Sequence, residues 1–299
     1  MTGFVQNLID GLGNGSTYAL MAVGVSLIFG VMHLVNFAHG ELLTVAAYMT
    51  YLLQSRGVSW WIIVPVAIAT AMVTSMGVEA IAFRRIRGAN PFTLLLTSFA
   101  LEILSHACWK LFVGSERKQF DKPGWAFNTF QVGPFLVEVW DVAAIVTTVV
   151  CLAATAWILR NTLFGLAIRA SAEDFDAARL MGVKANRVIS GAFALAGVLA
   201  GIFAALSLMR TGLAEPRMGA NPLLKAVLAA IIGGLGSLQG AVVGGLALGV
   251  AEVFVRGYVG DWFGSQAAGL TDGLVFALIA LLFVVRPQGL FNVATADRV

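Results

Sequence analysis

Nine stretches of this 299-residue sequence are apolar over the thickness of a bilayer or about half of it, and that spacing restricts the fold more than any other feature. They run near 12–32, 42–53, 60–83, 92–113, 141–159, 188–209, 223–232, 241–254 and 267–285. A helix needs about 20 apolar residues to cross the hydrocarbon core. Inside that core every backbone N–H and C=O must be paired within the protein, which leaves helices and closed barrels. With 59% hydrophobic residues, 12% charged and a mean hydropathy of +0.87, the chain is far more apolar than alternating barrel strands would be. The expectation is an all-α polytopic membrane protein. It has about eight or nine transmembrane or half-spanning helices in a single domain over 1–299.

Charge completes the class assignment. A net charge of +3 spread along the chain argues neither for nucleic acid nor for a polybasic surface anchor. Cys108 and Cys151 both fall in apolar spans, as small core residues rather than a disulfide framework. The opening MTGFVQNLIDGL lacks the positive region and cleavage site of a signal peptide, so the first span is expected to remain in the mature protein.

Arginines orient the spans. Arg84, Arg85 and Arg87 end the third, Arg160 follows the fifth, and Arg286 closes the last. Lysine and arginine favour the cytoplasmic side. All three places reach that side only if the short 223–232 segment also crosses, which sets the N-terminus outside and the C-terminus inside. Arg117, Lys118, Lys122, Arg210 and Arg217 then lie outside, while Trp60, Trp61, Trp109, Trp125, Trp140 and Trp262 fall at or beyond the outer ends as an interfacial belt.

One polar interval stands apart, 160–187, where Glu173, Asp174 and Asp176 sit among Arg169, Arg179, Lys184 and Arg187. Ser171 with Asp174 three residues on fits a capping box, and Gly182 fits the left-handed position after a helix. A short helix over 172–181, outside the membrane, is expected. Two further places break the apolar runs: HLVNFAHGE at 33–41, and GGLGSLQG at 233–240 after a segment too short to span. Glycine-interrupted short segments are the mark of half-helices around a transport path.

Other motifs have ordinary readings beside functional ones. The pairs Gly240/Gly244, Gly245/Gly249 and Gly197/Gly201 let helix backbones approach, either within the chain or between subunits. Glu102, His106 and Lys110 share a helix face. They could relay protons in a self-contained secondary transporter, or form a structural Glu102–His106 pair with Lys110 snorkelling outward. His33, His39 and Glu41 share no helical face, so they make a poor metal site. Ser16 after Gly13 and Gly15 lacks the glycine-framed turn of a hydrolase nucleophile.

Four ordered segments carry a resemblance: NGSTYALMAVGVSLIFGVMHLVNFAHGELLTVAAY (14–48), AEDFDAARLMGV (172–183), LLKAVLAAIIGGLGSLQGAVVGGLALGVAE (223–252) and RPQGLF (286–291). The chain resembles the permease subunits of bacterial ABC importers for branched-chain amino acids, and among them the shorter, H-type permease. The resemblance implies residence in the bacterial inner membrane and a paralogous second permease subunit. It also implies two cytoplasmic ATPases that use ATP and Mg, and an extracytoplasmic substrate-binding protein. The chain itself has no phosphate-binding glycine loop, so it is expected to bind no cofactor and to hydrolyse nothing. The segment around 172–183 would couple to an ATPase through Glu173, Asp174, Phe175, Arg179, Leu180, Met181 and Gly182. Asn36, His39, Gly40, Glu41, Gly233, Gly234 and Ser237 are the expected lining of the path. Members of such a family also carry urea, short amides and aromatic acids, so the substrate stays open among these.

Overall fold

The computed structural model describes residues 2–173, 175–263 and 270–285. Its helices follow the apolar runs, although α1 begins well before the run at 12–32 and α10 continues well past the run at 241–254: α1 (Thr2–Met32), α2 (Glu41–Gln54), α3 (Trp60–Val78), α4 (Pro91–Phe112), α5 (Val139–Asn161), α6 (Leu163–Glu173), α7 (Phe175–Leu180), α8 (Ala185–Thr211), α9 (Ala220–Gly233), α10 (Leu238–Phe263) and α11 (Leu270–Val285). Six of them, α1, α3, α4, α5, α8 and α10, are long and apolar enough to cross a membrane. Helix α2 and the short apolar helices α9 and α11 account for the other three expected segments.

Helix α1 is the axis of the fold. It packs antiparallel on α10 through glycines that leave no room for a side chain: a Cβ on Gly249 would overlap the Gly15 backbone, and one on Gly245 that of Ala19. Gly197 and Gly201 bring α8 equally close to Met72 and Ile68 of α3, and Gly240 and Gly244 press α10 on Gly233 and Ala229 of α9. These small-residue pairs therefore serve packing inside the chain. The principal core gathers around them, with Leu20, Met21, Leu43, Leu199 and Leu248 nearly or fully buried.

Contacts at helix ends define two faces. At the face where α1 begins, Gln6 Nε2 donates to the Leu136 carbonyl in a hairpin of β2 (Thr129–Val132) with β3 (Phe135–Glu138). Strand β1 (Lys118–Gln119) pairs antiparallel with β4 (Leu213–Ala214), and Gln54 Nε2 donates to the Asp121 carbonyl at 2.5 Å. At the opposite face Arg87 donates to Asn186 Oδ1 at 2.6 Å, and the Phe164 ring of α6 occupies the notch at Gly191 of α8. The Arg84–Arg87 cluster and the 160–187 interval therefore share one face, as charge predicts. Arg286 and the RPQGLF segment lie outside the described residues.

The basic residues assigned to the other side also keep together. Arg117 pairs with Glu215, Lys122 lies over the Phe127 ring, and Arg210 lies over the Trp140 ring. Trp60, Trp109 and Trp140 gather at the same face, against Phe120, Tyr48 and Arg210 respectively. Trp157 breaks the pattern: exposed three residues before Arg160, it belongs to the opposite rim.

Three local features differ from expectation. The polar interval holds two helices, α6 and α7, rather than one over 172–181, with Asp174 between them and outside the described residues. Ser171 is consequently no N-cap. It is buried in the last turn of α6, its hydroxyl without a partner among the described residues, because the amphipathic run Leu163–Glu173 begins a helix well before it. Third, α3 ends in a wide π turn over Glu79–Phe83, where Arg84 N–H reaches the Glu79 carbonyl at 2.8 Å.

Candidate functional site

The first interruption is a re-entrant corner. Helix α1 stops at Met32, and His33 takes a left-handed φ of 54°, the only non-glycine residue to do so among those described. The chain then doubles back into the protein and forms a 3-10 turn over Phe37–Gly40. Asn36 caps that turn: its Oδ1 accepts from Ala38 N–H at 3.1 Å. His39 reaches the middle of α1, so that a Cβ on Gly24 would lie 3.0 Å from its Nε2, and neither ring nitrogen has a hydrogen bond. Gly40 meets the backbone of Gly219 so closely that neither residue could carry a side chain.

Glu41 opens α2 and is 94% shielded, by the complement of its 6% exposure. Its carboxylate accepts from Ser105 Oγ of α4 at 2.9 Å. Together with Ala38 it lines a cavity of about 380 Å³ between α2, α3 and α4, whose other walls include Leu42, Val45, Leu101, Leu104 and Trp109. The Trp109 indole N–H lies near Glu41 without closing a hydrogen bond.

The second interruption is the turn between α9 and α10. Gly234 ends α9 at φ 96°, Gly236 follows at φ 86°, and Ser237 Oγ accepts from Gly240 N–H at 3.0 Å to start α10. Ser237 lines a second cavity of about 360 Å³ with Ser26, Gly30, Arg160, Arg169 and Ala172. The two breaks therefore do not meet. Gly40 packs on Gly219, just before α9, whereas Gly233 and Gly234 form its other end, so α9 separates them. This 14-residue helix is about 20 Å long, too short for the core alone. The inward turn before it, where the Pro216 carbonyl lies 3.2 Å from His106 Nδ1, makes up the remaining depth.

That contact also decides the α4 stripe. His106 is engaged by Pro216 rather than by Glu102, and no hydrogen bond joins Glu102 to His106 among the described residues. The structural pair is replaced by a link from α4 to the segment before α9.

On the face that carries α6 and α7, Gly182 adopts φ 86° after α7, as its position predicts. Leu180 and Met181 stand out at 90% and 86% exposure, and Glu173 and Arg179 are exposed beside them. Phe175 begins α7. Next to this tip Arg84, Arg87, Arg179, Lys184 and Arg187 line a polar groove of about 630 Å³. Glu79, fully buried, anchors its inner wall: it binds Arg84 Nη2 at 2.9 Å, Arg87 Nη2, and the Ser190 hydroxyl at 2.6 Å. Burial lowers the Arg87 pKa from its usual value, yet a guanidinium stays charged.

Two more ionic clusters lie within the helices, and neither was identified from sequence. Lys225 of α9 bridges Glu252 of α10 at 3.0 Å and Asp272 of α11 at 3.1 Å, while Tyr18 and Arg256 also donate to Glu252. Arg210 of α8 donates to Asn14 of α1, beside the buried Asp141 that faces Gly13. The available signal was a lone charge inside each apolar run, since such charges need partners. Among the described residues no group of three metal-ligating side chains forms a metal site.

Comparison with known proteins adds the family. BraD, a high-affinity branched-chain amino acid transport system permease protein of Pseudomonas aeruginosa, is 32% identical, with 99% of this chain and 98% of the relative covered. LivH of Escherichia coli is 29% identical at the same coverage, and a probable LivH of Methanocaldococcus jannaschii is 25% identical over 92% of this chain and 88% of its own length. The family model for the permease component of the branched-chain amino acid transport system matches residues 7–285, and the chain belongs to that family.

Proposed function

We propose that this chain forms part of the translocation path of an ATP-driven importer for branched-chain amino acids, or for a related small amide, urea or aromatic acid. Near-full-length similarity to permease components of such systems carries this reading. It favours an ABC importer over a proton-coupled secondary transporter, as does the engagement of His106 by a backbone carbonyl. In this reading the chain is a multi-pass protein of the bacterial inner membrane with α7 in the cytoplasm. It assembles with a paralogous permease, two ATPases that consume ATP and Mg, and an extracytoplasmic binding protein.

The coupling role rests on the tip of α7. Leu180 and Met181 are almost fully exposed on the basic face, and two large apolar side chains in water favour burial against a partner. They act as anchors in a groove of the ATPase, with Glu173, Asp174, Phe175 and Arg179 around them and Gly182 ending the helix. The groove cations favour an acidic rim on the partner. ATP-driven closure pushes α7 and α6, and α8 tilts with them through the Phe164–Gly191 joint. Asn36, His39, Gly40 and Glu41 serve the path on one side of α9, and Gly233, Gly234 and Ser237 on the other.

The deciding experiment is ATP hydrolysis by the co-expressed complex with its cognate binding protein, screened over leucine, isoleucine, valine, amides, urea and aromatic acids. Stimulation by one of these classes is expected. Substrate uptake by this chain alone, driven by a pH gradient without ATP, would overturn the reading.

A further inference from the structure

Glu41 differs from the other well-buried carboxylates of this protein. Glu79 is paired with Arg84 and Arg87, and Glu252 with Lys225 and Arg256; Asp141 lies near Arg210. Glu41 is also buried, at 6% exposure, and starts a half-helix at membrane depth, yet no cation lies within ion-pair distance among the described residues. Its one hydrogen bond comes from Ser105. A carboxylate so placed is costly without a counter-ion, and this one opens into a cavity of about 380 Å³ rather than into packed protein.

We propose that this cavity between α2, α3 and α4 binds a primary ammonium group carried on a short branched apolar body, with Glu41 as its counter-charge. Ser105 holds one carboxylate oxygen, leaving the other for the ammonium. The Trp109 ring in the same wall adds a cation–π surface. Leu42, Val45, Leu101 and Leu104 supply apolar walls for an aliphatic chain. A bare metal ion fits poorly, because hard cations need about six oxygen ligands and the lining offers only Glu41, Thr74 and Ser105 as side-chain oxygen donors. The inference rests on the transport reading for its biological meaning, since the ammonium could belong to a transported amino acid or to a simple aliphatic amine.

Cys108 lines the same cavity and gives a readout without any change to the lining. The full chain carrying Cys151→Ala is placed in phosphatidylglycerol nanodiscs, which contain no amine lipid. The rate of Cys108 alkylation by N-ethylmaleimide is then followed with isopentylamine, leucine or 4-methylpentanoate. Isopentylamine should slow alkylation saturably and 4-methylpentanoate should not. Glu41→Gln should raise the amine concentration needed by about a hundredfold, the usual scale for removing one partner of a buried charge pair. Glu116→Gln, which alters an exposed carboxylate outside the lining, should leave it unchanged.

Protection by leucine as well assigns the site to the transported amino acid, and protection by the amine alone to an aliphatic amine. Equal protection by 4-methylpentanoate, unchanged protection in Glu41→Gln, or no protection by either amine would overturn the proposal. If Glu41→Gln does not fold, the comparison of amine with carboxylate in the parent chain still decides. Failure here is separable from failure of the transport reading. A complex whose ATP hydrolysis responds to leucine while Cys108 stays unprotected loses only the ammonium site.

Discussion

At the scale of single residues, burial decides which ion pairs hold the protein together. Glu79 has no exposed surface and neutralises Arg84 and Arg87, whose side chains are 43% and 17% exposed. Glu79→Ala leaves the largely buried Arg87 without its counter-ion, and should destabilise the folded chain by about 3–5 kcal/mol. The exposed Arg117–Glu215 pair, at 71% and 38%, should lose less than about 1 kcal/mol in Arg117→Ala. Denaturation midpoints of the purified chain in one detergent compare the two directly. Glu79 was not identified in the sequence as a network centre, because it sits in an apolar run and its partners come from both the arginines after its turn and Ser190 of α8. A charge in a membrane span announces that it has partners; it does not name them. Gly182 was more legible, since a left-handed glycine after a helix depends on neighbours within a few residues.

At the scale of helices, close approach through glycine is the main packing device, and it yields a graded prediction. Gly249→Ala puts a methyl group into the Gly15 backbone and should cost about 2–3 kcal/mol by forcing α1 from α10. Gly30→Ala, on the same α1 with nothing within 4 Å, should be tolerated. Heat resistance of the folded fraction on size exclusion separates the two. A second test concerns the joint of α6 with α8. Phe164→Ala empties the Gly191 notch, so substrate-stimulated ATP hydrolysis by the assembled complex should fall while the ATPase still co-purifies. Loss of co-purification would mean that Phe164 matters for assembly instead. The positions of the helices were readable because apolar runs set them directly, whereas the polar extensions of α1 before 12 and of α10 after 254 were not. The division of the polar interval into α6 and α7 was not. Its cause is the apolar face of Leu163–Glu173, where Ile168 is buried in the cluster that holds Leu27, Val31 and Val188, and that contact is nonlocal.

At the scale of the whole molecule, alternation of the helices ties every connection to one of two faces, so a single orientation measurement tests them all. Ser115 lies in the connection after α4, on the face shared by Arg117 and Glu215; Arg85 lies in the connection before α4, beside the basic groove. With Cys108 and Cys151 replaced by alanine, Ser115→Cys should react with an impermeant maleimide added outside intact cells. Arg85→Cys should react only after the cytoplasmic side is opened. Reaction of both from one side would contradict the two-face arrangement, and exchange of the two results would invert the assignment and remove α7 from reach of a cytoplasmic ATPase. The outcome hinges on α9. Its 14 residues cross only with the help of the inward turn at 213–219, which His106 and Gly40 hold through Pro216 and Gly219. Were α9 to turn back without crossing, α10 and α11 would reverse, and the small-residue contact of α10 with α1 would have to be parallel instead of antiparallel. Because Gly245 faces Ala19 while Gly249 faces Gly15, the packing admits only the antiparallel course, and it is this register that commits the end of α11 to the face opposite the start of α1.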